Sequence, residues 1–302
     1  MKVCNFKEAI SQFVKNNSSL YIDGFTHLIS FAAGHEIIRQ GINNLTAIRL
    51  TPDLVYDQMI EAGCVSKLVF SWAGNPGVGS LHSLRRKTEL KYGKANLELD
   101  EYTHYGMIAR LLAGASGLSF YPLKNFSGTD YLKIQNNIMF INCPFTEKNI
   151  PVVPPLNPDV AIIHCQRADK NGNAQVWGLL GTQKELAFAA KNVIISCEEI
   201  VDTSIIKADP NRTLIPGAVV SAVVECPFAA HPSYAQGYYD RDNSFYKNWD
   251  LISRDKKLFD DYLNEFVLNC KNRSEYKKLL DKDVVAKLCA DTRLSGEVNY
   301  GF

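Results

Sequence analysis

Short apolar runs alternate with stretches of helical spacing over the first two-thirds of the chain. Ser18–Asp23 is a β-like run ending in Gly24, and Ala33–Gln40 has helical spacing and stops at Gly41. Leu45–Leu50 is β-like again, and Asp53 is placed to cap a helix carrying Leu54, Met59 and Ile60. Val65–Trp72 reads as the next strand and runs into a glycine-rich turn; Leu81–Tyr92 reads as a helix. The brief Leu97–Leu99 run precedes an Ala- and Leu-rich helix near His104–Ser116. Val160–His164, Val193–Ser196 and the longer Ala218–Val224 run are continuously apolar, as parallel strands covered on both faces are. Asn171-Gly172 suits positive φ angles, so Asp169–Asn173 predicts a hairpin between Val160–Gln166 and Ala174–Trp177. Beyond about residue 250 the pattern turns to charged amphipathic helices at Lys256–Cys270, Ser274–Leu280 and Val284–Ala290. The expectation is an α/β protein: βαβ units around a mainly parallel central sheet with flanking helices. Residues 1–302 are read as one domain, of which about 250–302 is a C-terminal helical elaboration.

Charge and composition narrow the classes. Lys+Arg number 33 against 32 Asp+Glu, so no basic surplus points to nucleic acid or an anionic membrane. No apolar run approaches the roughly 20 residues that span a bilayer, and the N-terminus lacks a signal-peptide core; the protein is expected to be cytoplasmic. The eight cysteines contain no Cys-x-x-Cys pair and the six histidines no His-x-x-x-His, so no metal site is predicted. The cysteines are read as reduced, structural thiols.

Four segments could carry chemistry. Asp23-Gly24-Phe25-Thr26-His27 follows the first strand, where an open parallel sheet binds ligands and a glycine lets backbone amides approach them. It could equally be a tight turn, with His27 a hydrogen-bonded structural residue. Ser71–Ser80 contains Asn75, Gly77, Val78 and Gly79, with Ser80 placed as a helix cap; amides at a helix start favour a carboxylate, an oxyanion or a phosphate. Its glycine order is not that of a dinucleotide fingerprint and the Walker lysine is absent. Histidine is the side chain suited to acid–base work at neutral pH, so His104, in Asp100–Gly106, could act as acid or base, while Asp100 or Thr103 could cap the following helix. Phe126–Asp130 supplies Ser127, Gly128 and Thr129 in a polar loop. No Gly-x-Ser-x-Gly elbow occurs. The Glu198-Glu199 pair is the most suggestive carboxylate pair, though neighbours in sequence point in different directions.

Together, several blocks in order resemble the A (alpha) subunit of the family I coenzyme A-transferases, most closely the glutaconate CoA-transferase alpha branch. They are Tyr21–Thr26, Glu36–Gly41, Asn75-x-Gly77-Val78, Asp159–Gln166 with Gln175–Gly178, Ser196–Ile200, Ala230–Ser233 and Gly237–Asn243. The resemblance implies a Rossmann-like superfamily fold, a B subunit of the same general fold in a heterodimer that can double, and coenzyme A only as part of the substrate, with no permanently bound cofactor. It implies covalent catalysis by a glutamate on the B subunit, so no catalytic residue is expected in this chain, His104 being an auxiliary candidate. Gly24, Phe25, Thr26, Asn75, Gly77, Val78, Gly79, His104, Ser127, Gly128 and Thr129 are the expected substrate- and CoA-facing positions. Many relatives begin the first loop with two glycines, where this chain has Asp23-Gly24. A ring-opening CoA-thioester hydrolase subunit, whose branch carries an acid near the His104 position, and a non-catalytic acyl-CoA-binding scaffold are the alternatives.

Overall fold

The computed structural model describes residues 2–76, 79–89, 96–124, 126 and 128–289. After helix α1 (Phe6–Phe13), strand β1 (Ser19–Ile22) opens a series in which each strand is followed by a helix: α2 (Phe31–Arg39), β2 (Leu45–Ile48), α3 (Leu54–Glu61), β3 (Val65–Phe70), α4 (His82–Thr88), β4 (Glu98–Glu101) and α5 (His104–Ala115). A separate three-stranded antiparallel sheet follows, in the order β5 (Tyr121–Pro122), β7 (Asn149–Val153), β6 (Met139–Asn142), with α6 (Tyr131–Ile134) between β5 and β6.

The chain then returns to the main sheet through β8 (Val160–Ala168), β9 (Ala174–Gln175), α7 (Gln183–Ala189), β10 (Asn192–Ile200), α8 (Thr203–Ala208), β11 (Thr213–Ile215) and β12 (Ala222–Glu225). Strands β12, β10, β8, β1, β2, β3 and β4 are parallel neighbours in that order. The hairpin predicted at Asp169–Asn173 is present: β9 pairs antiparallel with the end of β8, Ala168 opposite Ala174, and with β11 on its other side. The predicted Ala218–Val224 strand is shorter than its apolar run. Gly217–Val219 forms a 3₁₀ turn closed by the Val220 N–H donating to the Gly217 carbonyl at 3.2 Å, and Gly217 packs so closely on Asn171 that a Cβ there would lie 2.4 Å from the Asn171 carbonyl oxygen.

Strand order reverses between β1 and β8. From β1 the chain winds outward through β2, β3 and β4; from β8 it winds the other way. Such a switch point leaves a crevice at the strands' carboxyl ends, so the fold presents the Gly24 loop there. Alternate strand residues serve the two faces. Leu20, Ile22, Val160, Ile162 and Ile194 face a core built with α1, α2 and α3, which also takes Trp249, Phe259 and Tyr262. Those three come from α9 (Asn243–Arg254) and α10 (Lys256–Tyr262). Tyr21, Ala161, Ile163, Val193 and Ile195 face the other core, with Leu111 of α5 and Leu186 of α7.

The C-terminal helices begin at Asn243, somewhat before the expected boundary. The expected Lys256–Cys270 helix is α10 followed by a π-helical turn, Leu263–Leu268; α11 (Arg273–Leu279) and α12 (Lys282–Leu288) complete them. All eight cysteines are free thiols.

Candidate functional site: the carboxyl-end loops

The first loop is over-determined. Gly24 has φ +123°, and a Cβ there would stand 2.7 Å from both the His27 carbonyl oxygen and Ile29 Cγ1, so only glycine fits. Thr26 and Leu28 also adopt positive φ, 56° and 55°, at a cost of about 1–2 kcal/mol each for non-glycine residues. Contacts offset that cost. Ser233 Oγ donates to the Thr26 carbonyl at 2.7 Å, and the Leu28 N–H donates to the Tyr234 carbonyl at 2.9 Å. His27 is buried and stacked on Tyr234. The Gln236 N–H donates to His27 Nε2 at 3.1 Å, which makes Nε2 the acceptor; Nδ1 therefore carries the proton and donates to the Leu179 carbonyl at 3.0 Å. Burial pushes the imidazole pKa down to about 4, with the Leu179 bond opposing and nearby His164 assisting. A neutral ring with both nitrogens engaged is structural, so His27 is no acid–base candidate. Gly24 itself is buried, Thr26 half-buried and Phe25 exposed.

The second loop departs from its sequence reading. Helix α4 starts at His82 after Leu81, so Ser80 is not its cap. Instead the Ser80 N–H donates to Asp250 Oδ1 at 3.3 Å, and His82 Nε2 lies 2.8 Å from the same oxygen. The chain thus supplies its own carboxylate to this turn. Burial works against ionisation of Asp250, but His82, the Ser80 N–H and Arg254 outweigh it and hold its pKa below the usual range. Gly79, at φ +155°, closes against Asp250, 2.7 Å from a built Cβ. Asn75 is buried and donates from Nδ2 to the Tyr246 carbonyl at 2.7 Å. Gly77 and Val78 lie outside the described residues.

At the third position Thr103, not Asp100, caps α5, its Oγ1 accepting from the Gly106 N–H at 3.0 Å. His104, the first residue of α5, is exposed. Gly128 and Thr129 are exposed too, while Phe126 packs against Gly106 of α5, 2.9 Å from a built Cβ. Ser127 lies outside the described residues. The β1, β3 and β4 loops lie in a row along one sheet edge. At about 4.8 Å per strand, the β4 loop stands roughly 14 Å from the β1 loop, so the row suits an extended ligand. Phe25, Trp72, Tyr105 and Leu180, each at least a third exposed, stand beside or near these loops.

Behind the first loop lies a network that the sequence reading missed. His164 on β8 contacts Ser196 Oγ at 2.9 Å through Nδ1 and Glu198 Oε1 at 2.8 Å through Nε2, both on β10. The Tyr239 hydroxyl donates to Glu198 Oε1 at 2.6 Å and the Phe228 N–H to Oε2 at 2.7 Å. These residues have the pairwise contacts of a hydrolytic triad, but Ser196, His164 and Glu198 are all buried. Glu199 is paired with Arg167 at 2.9 Å and accepts from the Tyr238 hydroxyl at 2.6 Å. The suggestive Glu198-Glu199 pair is therefore divided between two structural networks. The only available hint was a histidine inside the otherwise apolar Val160–Cys165 run.

Asp53 is at the N-cap position of α3 but makes no capping bond. Its Oδ1 accepts from Arg49 Nη1 at 3.1 Å, an ion pair buried on both sides.

A doubly wound α/β chain with a glycine loop at its switch point is a common ligand-binding plan, and the comparisons give it a family. The coenzyme A transferase family model matches residues 3–226, and the chain belongs to that family. It is 49% identical to the A (alpha) chain of the 3-oxoadipate CoA-transferase of Pseudomonas knackmussii, over 91% of this chain and 97% of that protein. It is 34% identical to the corresponding chain of the glutaconate CoA-transferase of Acidaminococcus fermentans, over 91% and 90% of the two chains. The crystal structure of the Acidaminococcus fermentans glutaconate CoA-transferase superposes with TM-score 0.90 at 31% identity, covering 96% of both chains. The chain is a CoA-transferase of the A-subunit type, which implies a B-subunit partner, and its fold is the one the resemblance led us to expect.

Proposed function

We propose that this chain and a B subunit together move coenzyme A from an acyl-CoA to a 3-oxo or dicarboxylic acid, with 3-oxoadipate as the first acceptor to test. The supporting observation is a division of labour along the carboxyl edge. The loops offer backbone and exposed apolar side chains, whereas the most suggestive carboxylate of this chain, Glu198, is buried with both oxygens bonded. In this reading a glutamate supplied by the B subunit is the nucleophile: it attacks the acyl-CoA carbonyl and expels CoA thiolate, giving an acyl–glutamyl anhydride. The thiolate then attacks the glutamyl carbonyl, releasing the acyl group as its carboxylate and leaving a glutamyl-CoA thioester. The incoming carboxylate repeats the exchange in reverse and leaves as its CoA ester. Coenzyme A enters as substrate.

Gly24, Phe25, Thr26, Asn75, Gly79 and, further along the row, His104, Gly128 and Thr129 form this chain's side of the pocket; Gly77, Val78 and Ser127 are kept as candidates from the sequence alone. No described helix is long and apolar enough to cross a membrane, in keeping with work in the cytoplasm on soluble acids. The relatives favour transfer over the hydrolytic alternative.

The test is to co-express both chains and assay CoA exchange between succinyl-CoA and 3-oxoadipate. Transfer should need both chains and the acceptor, and borohydride with acyl-CoA should mark the B subunit. Turnover of a cyclic acyl-CoA without an acceptor acid, or a covalent adduct on this chain, would overturn the reading.

A further inference from the structure

Arg49 lies just beyond β2, between the ends of β1 and β3, and is 1% exposed. Its main-chain N–H donates to the Val69 carbonyl at 3.1 Å, fixing it to β3. Nη1 reaches Asp53 at 3.1 Å, and Nη2 donates to the Gly24 carbonyl at 2.6 Å. Burial works against the guanidinium charge, but Asp53, Tyr56, Asp23 and Tyr21 more than offset it, and Arg49 is held charged. Asp53 is in turn drawn toward ionisation by Arg49 and by Arg241, though burial raises its pKa overall. Arg241 lies over the Tyr246 ring at 3.9 Å and donates from Nη2 to the Pro76 carbonyl at 3.1 Å. One buried carboxylate thus stands between two guanidinium groups, and each guanidinium holds a carbonyl of a different candidate loop.

A buried ion pair is weak evidence for stability, since an apolar pair of similar volume often serves as well. The direction of the Gly24 bond says more. In a planar trans peptide the carbonyl of one residue and the N–H of the next point in opposite directions. The Gly24 carbonyl turns inward to Arg49, so the Phe25 N–H turns outward, at the sheet's switch point. That amide has no hydrogen-bond partner among the described residues, and Phe25 is exposed.

We infer that Arg49 is a positioning residue: by gripping the Gly24 carbonyl from beneath, it holds the Phe25 amide outward as a fixed donor to the oxygen of the reacting thioester. This rests on the transferase reading above. A donor fixed before the reaction begins stabilises charge developing in the transition state more than it binds the ground state. Loss of the grip therefore falls on kcat rather than KM. Lysine keeps the charge but offers a point ammonium of shorter reach on a flexible stem in place of a planar fork, so it cannot serve Asp53 and the Gly24 carbonyl together in the same geometry.

The experiment uses the two-chain complex with wild type, Arg49→Lys, Asp53→Asn and, as a control for a partly buried arginine elsewhere, Arg86→Lys. Arg86 binds Glu61 at 3.0 Å and the Ser253 carbonyl at 2.7 Å, away from the loops. Removing an oxyanion donor outright lowers kcat by about 100- to 1000-fold. Arg49→Lys, which misaligns the donor, should lower kcat by about 10- to 100-fold with KM for acyl-CoA within about threefold and with the complex still assembled. Arg86→Lys should leave kcat unchanged even where it lowers the melting temperature.

An Arg49→Lys complex with wild-type kcat, or one whose loss merely tracks its unfolded fraction, overturns the inference. If Arg49→Lys does not assemble, Asp53→Asn decides: a kcat loss at constant KM supports the grip, and unchanged kcat overturns it. Failure of the transferase reading would show separately, as absence of exchange in the wild-type complex.

Discussion

The carboxyl ends of β1, β8 and β10 and the β6–β7 hairpin are built on opposite plans. Under the first, polar groups are buried and bonded to one another: His164, Ser196, Glu198, Tyr239 and the Phe228 amide form one network, which Ser30 and the Ala230 N–H join at its margins. Arg49 and His27 brace the adjoining loop from either side. In the hairpin, apolar groups face outward: Phe140, Met139 and Phe145 are 49%, 65% and 93% exposed. Buried polar groups are costly unless fully satisfied, and a satisfied network fixes one geometry. Exposed apolar groups contribute little to the fold of the chain that carries them. Precision is therefore concentrated at the switch point, and the hairpin is one of the places where this chain leaves apolar surface uncovered.

The largest effect should come from opening the buried network. Glu198→Ala leaves His164, Tyr239 and the Phe228 amide without their acceptor, and breaking such a set costs about 3–5 kcal/mol. Denaturant unfolding of the isolated chain measures it. A loss under about 1 kcal/mol, the scale of a single ordinary hydrogen bond, would show that the network is not what holds this end of the sheet. Glu198→Gln keeps the shape and one acceptor oxygen and should recover part of the loss. Neither variant should prevent covalent trapping of the partner subunit in whatever fraction remains folded.

Next is Gly24→Ala. The added methyl meets the His27 carbonyl oxygen and Ile29 at 2.7 Å, in a backbone conformation that L-residues rarely adopt. Strain and overpacking together predict a loss of about 2–4 kcal/mol, read by thermal or denaturant unfolding, with transferase activity falling further than the folded fraction. Activity and stability falling in step would mean that the loop's shape matters only to folding.

How far this contrast could be read from sequence depends on how local its causes are. The parallel strands were legible because burial on both faces leaves an unbroken apolar run, as in Val160–Ile163 and Val193–Ile195. The Asp169–Asn173 hairpin was legible because its turn chemistry is written in a few adjacent residues. The three-stranded sheet was not, since β5 has two residues, β7 contains Pro151, and β6 carries apolar residues toward both faces, with no alternation to read.

Asp53 looked like a cap because helix capping is the local use of an aspartate at that position. Its actual partner, Arg49, sat inside a run read simply as strand. Ser80 likewise lost the capping role to a contact with Asp250, 170 residues away. Local chemistry predicted which loops reach the sheet edge, and long-range pairing decided what each loop residue does there.

A smaller effect separates the two regions by pH. His27 has a folded pKa near 4 against about 6.5 for a free imidazole, so between those values the unfolded chain binds a proton that the folded chain refuses. Its contribution is full above about pH 6.5 and drains away as the pH falls toward 4. Asp57, pushed up to about 7 by burial, works in the opposite direction, gaining stability as the pH falls. It is common to wild type and variant and cancels in their difference. His27→Gln should therefore lose about 1–2 kcal/mol less than wild type between about pH 7 and pH 5. Parallel stability–pH curves would place the acid sensitivity elsewhere.

The smallest effect belongs to the hairpin. Phe145 is 93% exposed, so the isolated chain gains almost nothing from burying it, and a surface substitution of this kind changes stability by no more than about 0.5 kcal/mol. Phe145→Ser should unfold at the same denaturant midpoint as wild type and remain soluble to higher concentration, because an exposed aromatic ring at a strand-edge turn favours self-association. A loss above about 1 kcal/mol, twice what a surface change costs, would mean that the ring is covered by the chain itself in solution. The contrast between a switch point built on buried polar contacts and a hairpin built on exposed apolar ones would then fail at its clearest residue.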